Sequence, residues 1–137
     1  MALPPITFSN WAPWTDRSEI AGYKNPGVYA LAHFKKPPKT IGLQSKKIIY
    51  IGETCTSFRK RLGEFERSAF KGKKGHSGGK TYREEFGDEK KDQLFVSAFP
   101  VHVLSDELRP LFIRYLERKL ILEYAMKRHR LPDCNRK

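Results

Sequence analysis

Two short apolar runs, Val28-Tyr29-Ala30-Leu31-Ala32 and Ile48-Ile49-Tyr50-Ile51-Gly52, do most to limit what this chain can fold into. Each is rich in β-branched or aromatic side chains and bounded by Pro, Gly or Lys, which predicts a strand rather than a helix. The connection from Lys35 to Lys47, full of Lys and Pro, is short enough to join them as a hairpin with a long loop. A third strand is expected over Leu94-Phe95-Val96-Ser97-Ala98-Phe99-Pro100-Val101. Strands in hairpin order imply a small, largely antiparallel sheet.

Helices are legible from periodicity. After Thr56 or Ser57, either of which can cap a helix, Phe58, Leu62, Phe65 and Ala69 recur on one face, with Arg59, Lys60, Glu64 and Arg67 opposite. Ser105-Asp106-Glu107 is a second helix start, Pro110 fits its first turn, and Leu116, Leu120, Ile121 and Tyr124 share a face within Leu108 to Lys127. On that helix Glu117 and Glu123 interrupt a surface of Lys and Arg. Residues 1–26 carry Pro4, Pro5, Pro13, Phe8, Trp11 and Trp14, which reads as an arm packed on the body by its aromatics, with one short helix near Asp16 to Ala21. The whole is expected to be one α/β (α+β) domain over residues 27–137, with a sheet of about three strands flanked by helices. A length of 137 residues leaves no room for separate binding and catalytic modules.

Charge then narrows the partners. Lys and Arg number 27 against 15 Asp and Glu, a formal net charge of +12, while 39% apolar residues suffice for a core. Nucleic acid is the expected polyanion, because neutralising its phosphates releases condensed counterions. An anionic membrane would call for a basic amphipathic helix or an anchor, and neither a signal sequence nor a spanning apolar run is seen, so a soluble cytoplasmic protein is expected. Cys55 and Cys134 lack metal-ligand spacing and are expected to be reduced thiols.

From Arg67 to Arg83 there are six Lys and Arg, no acid, Gly72, Gly75, Gly78 and Gly79, and one histidine, His76. This reads as a mobile basic loop, with His76 a solvated loop residue. Lys71, Lys73, Lys74 and Lys80 here, and Arg128 and Arg130 near the C-terminus, are the candidate phosphate contacts.

Gly27-Val28-Tyr29, followed by Tyr50-Ile51-Gly52, then Phe58-Arg59-Lys60-Arg61-Leu62, then Tyr115-Leu116-Glu117-Arg118-Lys119-Leu120-Ile121, then Leu131-Pro132-Asp133-Cys134-Asn135, resembles in order the pattern of the GIY-YIG nuclease family, with Val28 in place of the first Ile. The resemblance spans about four fifths of the chain. It implies a DNA endonuclease in which a divalent metal, Mg²⁺ with Mn²⁺ as substitute, is held by Glu117 and stabilises the leaving 3′ oxygen. It implies Tyr29 as general base or proton relay, helped by Tyr50, Arg61 as phosphate ligand, and Asn135 as a residue that fixes geometry by hydrogen bonding. Arg59 is the alternative to Arg61, Glu123 the alternative to Glu117, and His76, Tyr82 or Arg83 are possible additions to the site. A phenol near pKa 10 needs a cation or hydroxyl beside it to act as a base at neutral pH. A restriction-like, repair or mobile-element enzyme fits a single domain, and cutting both strands would ask for a homodimer on DNA. The competing expectation is a non-catalytic nucleic-acid-binding module of the same fold.

Overall fold

The chain runs through β1 (Ala12–Pro13), β2 (Gly27–His33), β3 (Ile48–Thr54), α1 (Phe58–Lys71), α2 (Ser77–Phe86), β4 (Leu94–Pro100) and α3 (Leu108–Arg128), with 3₁₀ turns at Trp14–Glu19 and Lys91–Gln93. This is a computed structural model that describes residues 3–136, so Met1 and Ala2 of the expected arm, and Lys137, lie outside it. The fold is mixed α and β, with an antiparallel sheet in the order β1-β4-β2-β3.

The sheet has four strands, not three. The fourth comes from the arm, where Ala12 and Pro13 pair with Val96 and Phe95. Its two residues include a proline, which a sheet tolerates at an edge, and so short a strand leaves no alternating pattern to read. Trp14 beside it is 1% exposed, stacks edge-on against Phe65, and donates its indole N–H to Glu66 Oε1 at 2.7 Å. The expected short helix is the 3₁₀ turn that follows.

β2 pairs along its length with both β3 and β4, and helices cover both faces of the sheet. That is why its sequence is continuously apolar instead of alternating. Tyr29, Leu31 and Tyr50 face α1 and α2, packing against Phe58, Leu62, Phe65 and Tyr82. Val28, Ala30 and Ile51 face α3, packing against Ile113, Leu116 and Tyr124. Phe58, Leu62 and Phe65 on α1 are all fully buried, each stabilising the fold by roughly 1.5–3 kcal/mol. Ser57 Oγ accepts from the Lys60 amide at the start of α1, and Gly72 ends it at φ 65°.

Regular alternation would put Tyr50 on the same side as Ile48, and the sheet does not keep that rule. Leu31 lies opposite Tyr50 and Ala32 opposite Ile48, so Ile49 is an extra residue, a β-bulge. Ile48 therefore joins the α3 side while Tyr50 stays with Tyr29.

The expected mobile basic loop is mostly helical. Arg67 to Lys71 complete α1, a short connection follows, and Ser77–Phe86 form α2. Gly78 and Gly79, read from sequence as loop markers, are buried in the first turn of α2, where a side chain has no room: a Cβ on Gly79 would lie 2.8 Å from Ser68 Cβ and 3.0 Å from the Phe65 carbonyl. Cys134 and Cys55 are free thiols. Among the described residues no helix is long and apolar enough to cross a membrane.

Candidate active site

The hairpin register sets Tyr29 opposite Gly52, with Tyr50 two residues before Gly52 on the same face. The tyrosine rings sit 5.9 Å apart between centroids. Gly52 makes this possible, since a Cβ there would lie 2.5 Å from Tyr50 Cε2 and 2.7 Å from the Tyr29 hydroxyl. From the other side, a Cβ on Gly78 would lie 2.5 Å from Tyr50 Cε1. The Tyr50 ring thus occupies a slot between two glycines, one on β3 and one on α2.

His76 is not solvated; it is 2% exposed and lies in this cluster. Its Nδ1 accepts from the Gly79 amide at 3.0 Å, so the ring proton resides on Nε2, which donates to the Tyr29 hydroxyl oxygen at 2.8 Å. The His76 amide in turn donates to Ser68 Oγ at 3.1 Å, and the ring packs edge-on against Phe65. Burial, then the charge of Arg61, holds the imidazole neutral, with its pKa lowered to about 3. A second pair repeats the tie four residues along β2, where His33 Nε2 and the Tyr82 hydroxyl are 2.8 Å apart. Tyr82 therefore shares its hydrogen bond with His33 and not with Tyr29, although its ring packs on Phe65 in the same core.

Arg61 comes from α1. One of its Nη1 hydrogen bonds goes to Glu64 Oε1 at 2.9 Å and another to the Gly75 carbonyl at 3.2 Å, which pins the guanidinium beside the cluster. Burial pushes Tyr50 up to about 12 and Tyr29 well above its ordinary value, while the Arg61 charge pulls both down. Arg59 is exposed, and Arg83 donates to the Ala69 carbonyl near the end of α1. Of the three arginines, only Arg61 meets both tyrosines.

The two candidate carboxylates part company. The negative charge of Glu117, half-buried on α3, raises the pKa of Tyr50 and of Cys55, which brings it within electrostatic reach of β3. Glu123 is ion-paired with Lys119 at 3.0 Å and borders a groove with Gln44 and Lys127. Among the described residues no group of three or more His, Cys, Asp or Glu could hold a metal. A site with one protein carboxylate nevertheless suits Mg²⁺, which keeps several waters and takes further oxygens from a bound phosphate.

Asn135 acts as a backbone mimic. Its Oδ1 accepts from the Ile51 amide and its Nδ2 donates to the Ile51 carbonyl, both at 2.8 Å, while the Cys134 amide donates to the Ile49 carbonyl at 2.7 Å. The tail thereby closes the free edge of β3 next to Tyr50. Lys73, Lys74, Lys80 and Arg83 line a cavity of about 580 Å³ with His76 in its wall, and Lys71 is exposed at the end of α1. Arg128 and Arg130 are engaged within the chain, by the Gln44 carbonyl at 2.7 Å and by Asp133 at 2.6 Å.

Sequence reasoning did not find the Gly78 wall, the Ser68 and Glu64 supports, or the His33–Tyr82 pair. Gly78-Gly79, starting two residues after His76, was the available signal, because paired glycines mark a close approach as readily as a loop. No protein-family model, curated protein or solved structure matches this chain.

Proposed function

We propose that this chain is a metal-dependent DNA endonuclease of the GIY-YIG type. The observation that carries the reading is the convergence of Tyr29, Tyr50, His76 and Arg61, from β2, β3, the start of α2 and α1, beside the Lys73–Lys74–Lys80 cavity. Phosphodiester hydrolysis needs a group to take a proton from water, a fixed cation for the phosphoryl oxygens, and stabilisation of the leaving oxygen. A tyrosine oxygen supplies the first. Its ionised form is favoured by the Nε2–H of neutral His76 and by Arg61, both already in place. Arg61 supplies the second, exchanging Glu64 for a phosphate. Glu117 would hold Mg²⁺ or Mn²⁺, which when bound supplies Lewis-acid stabilisation of the leaving 3′ oxygen. Asn135 holds the edge of β3 and so the height of Tyr50. On this reading Glu117 and Arg61 are preferred over Glu123 and Arg59, for their proximity to the tyrosines.

A restriction-like, repair or mobile-element role in the cytoplasm, with a homodimer acting on both strands, belongs to the same proposal. One observation favours a second reading, a non-catalytic module that binds nucleic acid: Tyr29 is 0% exposed, with its oxygen already in an internal hydrogen bond. The deciding experiment is nicking of supercoiled plasmid in Mg²⁺, with an EDTA control and Glu117→Ala and Glu123→Ala beside the parent. Cutting lost only in Glu117→Ala, with binding retained, supports the enzyme. Plasmid bound but uncut in Mg²⁺ and Mn²⁺ supports the module.

A further inference from the structure

α3 has a second apolar face. The inner one packs on the sheet, but Leu108, Leu111 (63% exposed), Tyr115, Leu122 (59%) and Met126 (69%) stand in solvent, where a surface of Lys and Arg was expected. Along this outer face Leu108, Leu111, Tyr115, Arg118, Leu122 and Ala125 recur at alternating steps of three and four, about 25 Å of helix. That period of 3.5 is the seam by which one helix packs against another. A helix needing only to cover its own sheet has no use for it.

We infer that the outer face of α3 is the interface of a homodimer, in which α3 packs antiparallel on α3 of a second copy about a two-fold axis. Self-complementarity selects the occupant. One register satisfies every layer: Leu108 meets the partner's Ala125, Leu111 meets the partner's Leu122, and Tyr115 meets the partner's Arg118, each repeated by the two-fold. These are a long side chain against a short one, two leucines, and a guanidinium over an aromatic ring. A parallel pair would instead set Arg118 level with the partner's Arg118 and leave both guanidinia without a ring, whereas the antiparallel register staggers them by about 4.5 Å and places each over a tyrosine. In the antiparallel pair Met126 comes level with the partner's groove of about 330 Å³, which Leu3 of the arm lines together with Leu104, Leu108, Leu111, Phe112 and Tyr115, and an unbranched thioether suits such a gap. Two chains of +12 repel, so association strengthens as salt screens them. The inference does not depend on nuclease activity.

The test is sedimentation of the full chain, free of DNA and divalent metal, over rising protein and NaCl concentration. The expected result is a doubling of the 15.9 kDa mass, reversed to monomer by Leu111→Glu or Leu122→Glu with circular dichroism unchanged. Orientation is read by oxidation in a Cys55→Ser background. Leu111→Cys chains mixed with Leu122→Cys chains should cross-link, and neither alone, because like positions stand about 16 Å apart. A chain that stays monomeric throughout leaves the seam to another protein's helix and overturns the proposal. So does a dimer indifferent to both glutamates, or cross-linking of Leu111→Cys with itself.

Discussion

The imidazole of His76 donates from Nε2 to the phenolic oxygen of Tyr29 at 2.8 Å, across 47 positions of sequence, and the Gly79 amide on Nδ1 fixes which nitrogen donates. His76 therefore cannot receive the Tyr29 proton without giving up Gly79. Its part is to favour a negatively charged tyrosine oxygen.

Tyr29→Phe keeps the ring and removes only that oxygen. Nicking is expected to fall by about 10²–10⁴-fold with DNA affinity retained. Because burial keeps Tyr29 well above its ordinary pKa and Tyr50 near 12, the parent rate should climb about tenfold per pH unit through neutrality and beyond, as the ionised fraction does. A rate already flat at pH 7 would assign the base to another group.

Acid should destabilise the fold through its histidines. Unfolded, they titrate near 6.5; folded, His76 is held to about 3 and His33 to about 4, by burial first and then by Arg61 and Lys90. Below pH 6.5 the unfolded chain takes up protons that the folded chain refuses, so stability falls with pH until the folded values are reached. For His76 the slope is up to about 1.4 kcal/mol per unit, and the more exposed His33 adds less. Urea midpoints measured from pH 7 to 4 should drop more steeply for the parent than for His76→Gln.

Gly52→Ala and Gly78→Ala each press a methyl into the Tyr50 ring at 2.5 Å. Overpacking of this kind costs about 1–3 kcal/mol, read as a lower melting temperature. Gly63→Ala is the contrast. It lies inside α1 with only the end of the Arg67 side chain at 3.5 Å, so alanine there should stabilise by up to about 1 kcal/mol. Equal effects at Gly63 and Gly78 would contradict the slot around Tyr50.

If the cavity beside His76 receives the DNA backbone, Lys73→Glu, Lys74→Glu and Lys80→Glu should each weaken binding about equally for every sequence and lower the salt slope by about one. Arg128→Ala and Arg130→Ala, whose guanidinia serve Gln44 and Asp133, should lower the melting temperature more than the slope. Fluorescence anisotropy across a salt series separates the two groups.

Short β-branched and aromatic runs bounded by Pro, Gly or Lys revealed β2, β3 and β4, and helical periodicity revealed α1 and α3, whose buried residues recur on one face. The family resemblance, not periodicity, paired Tyr29 with Tyr50 and picked out Arg61 on the helix after them. α2 was hidden because Gly78 and Gly79 carry no side chain, and it is that absence which lets α2 approach Tyr50. The bulge at Ile49 was hidden for a related cause: one extra residue shifts facing without changing composition. His76 looked solvated among lysines, yet its burial depends on Phe65, Tyr50 and Ser68, contacts that no local window contains.

The clasp of Asn135 on Ile51 joins residues 84 positions apart. During synthesis, at roughly 5–20 residues per second, the ribosome finishes β3 on the order of 10 s before it makes the side chain that covers it. For that interval β3 offers unpaired amides and carbonyls to any neighbouring nascent chain. Slowing translation between residues 54 and 135 should therefore reduce the soluble yield, and Asn135→Ala should make the exposure permanent.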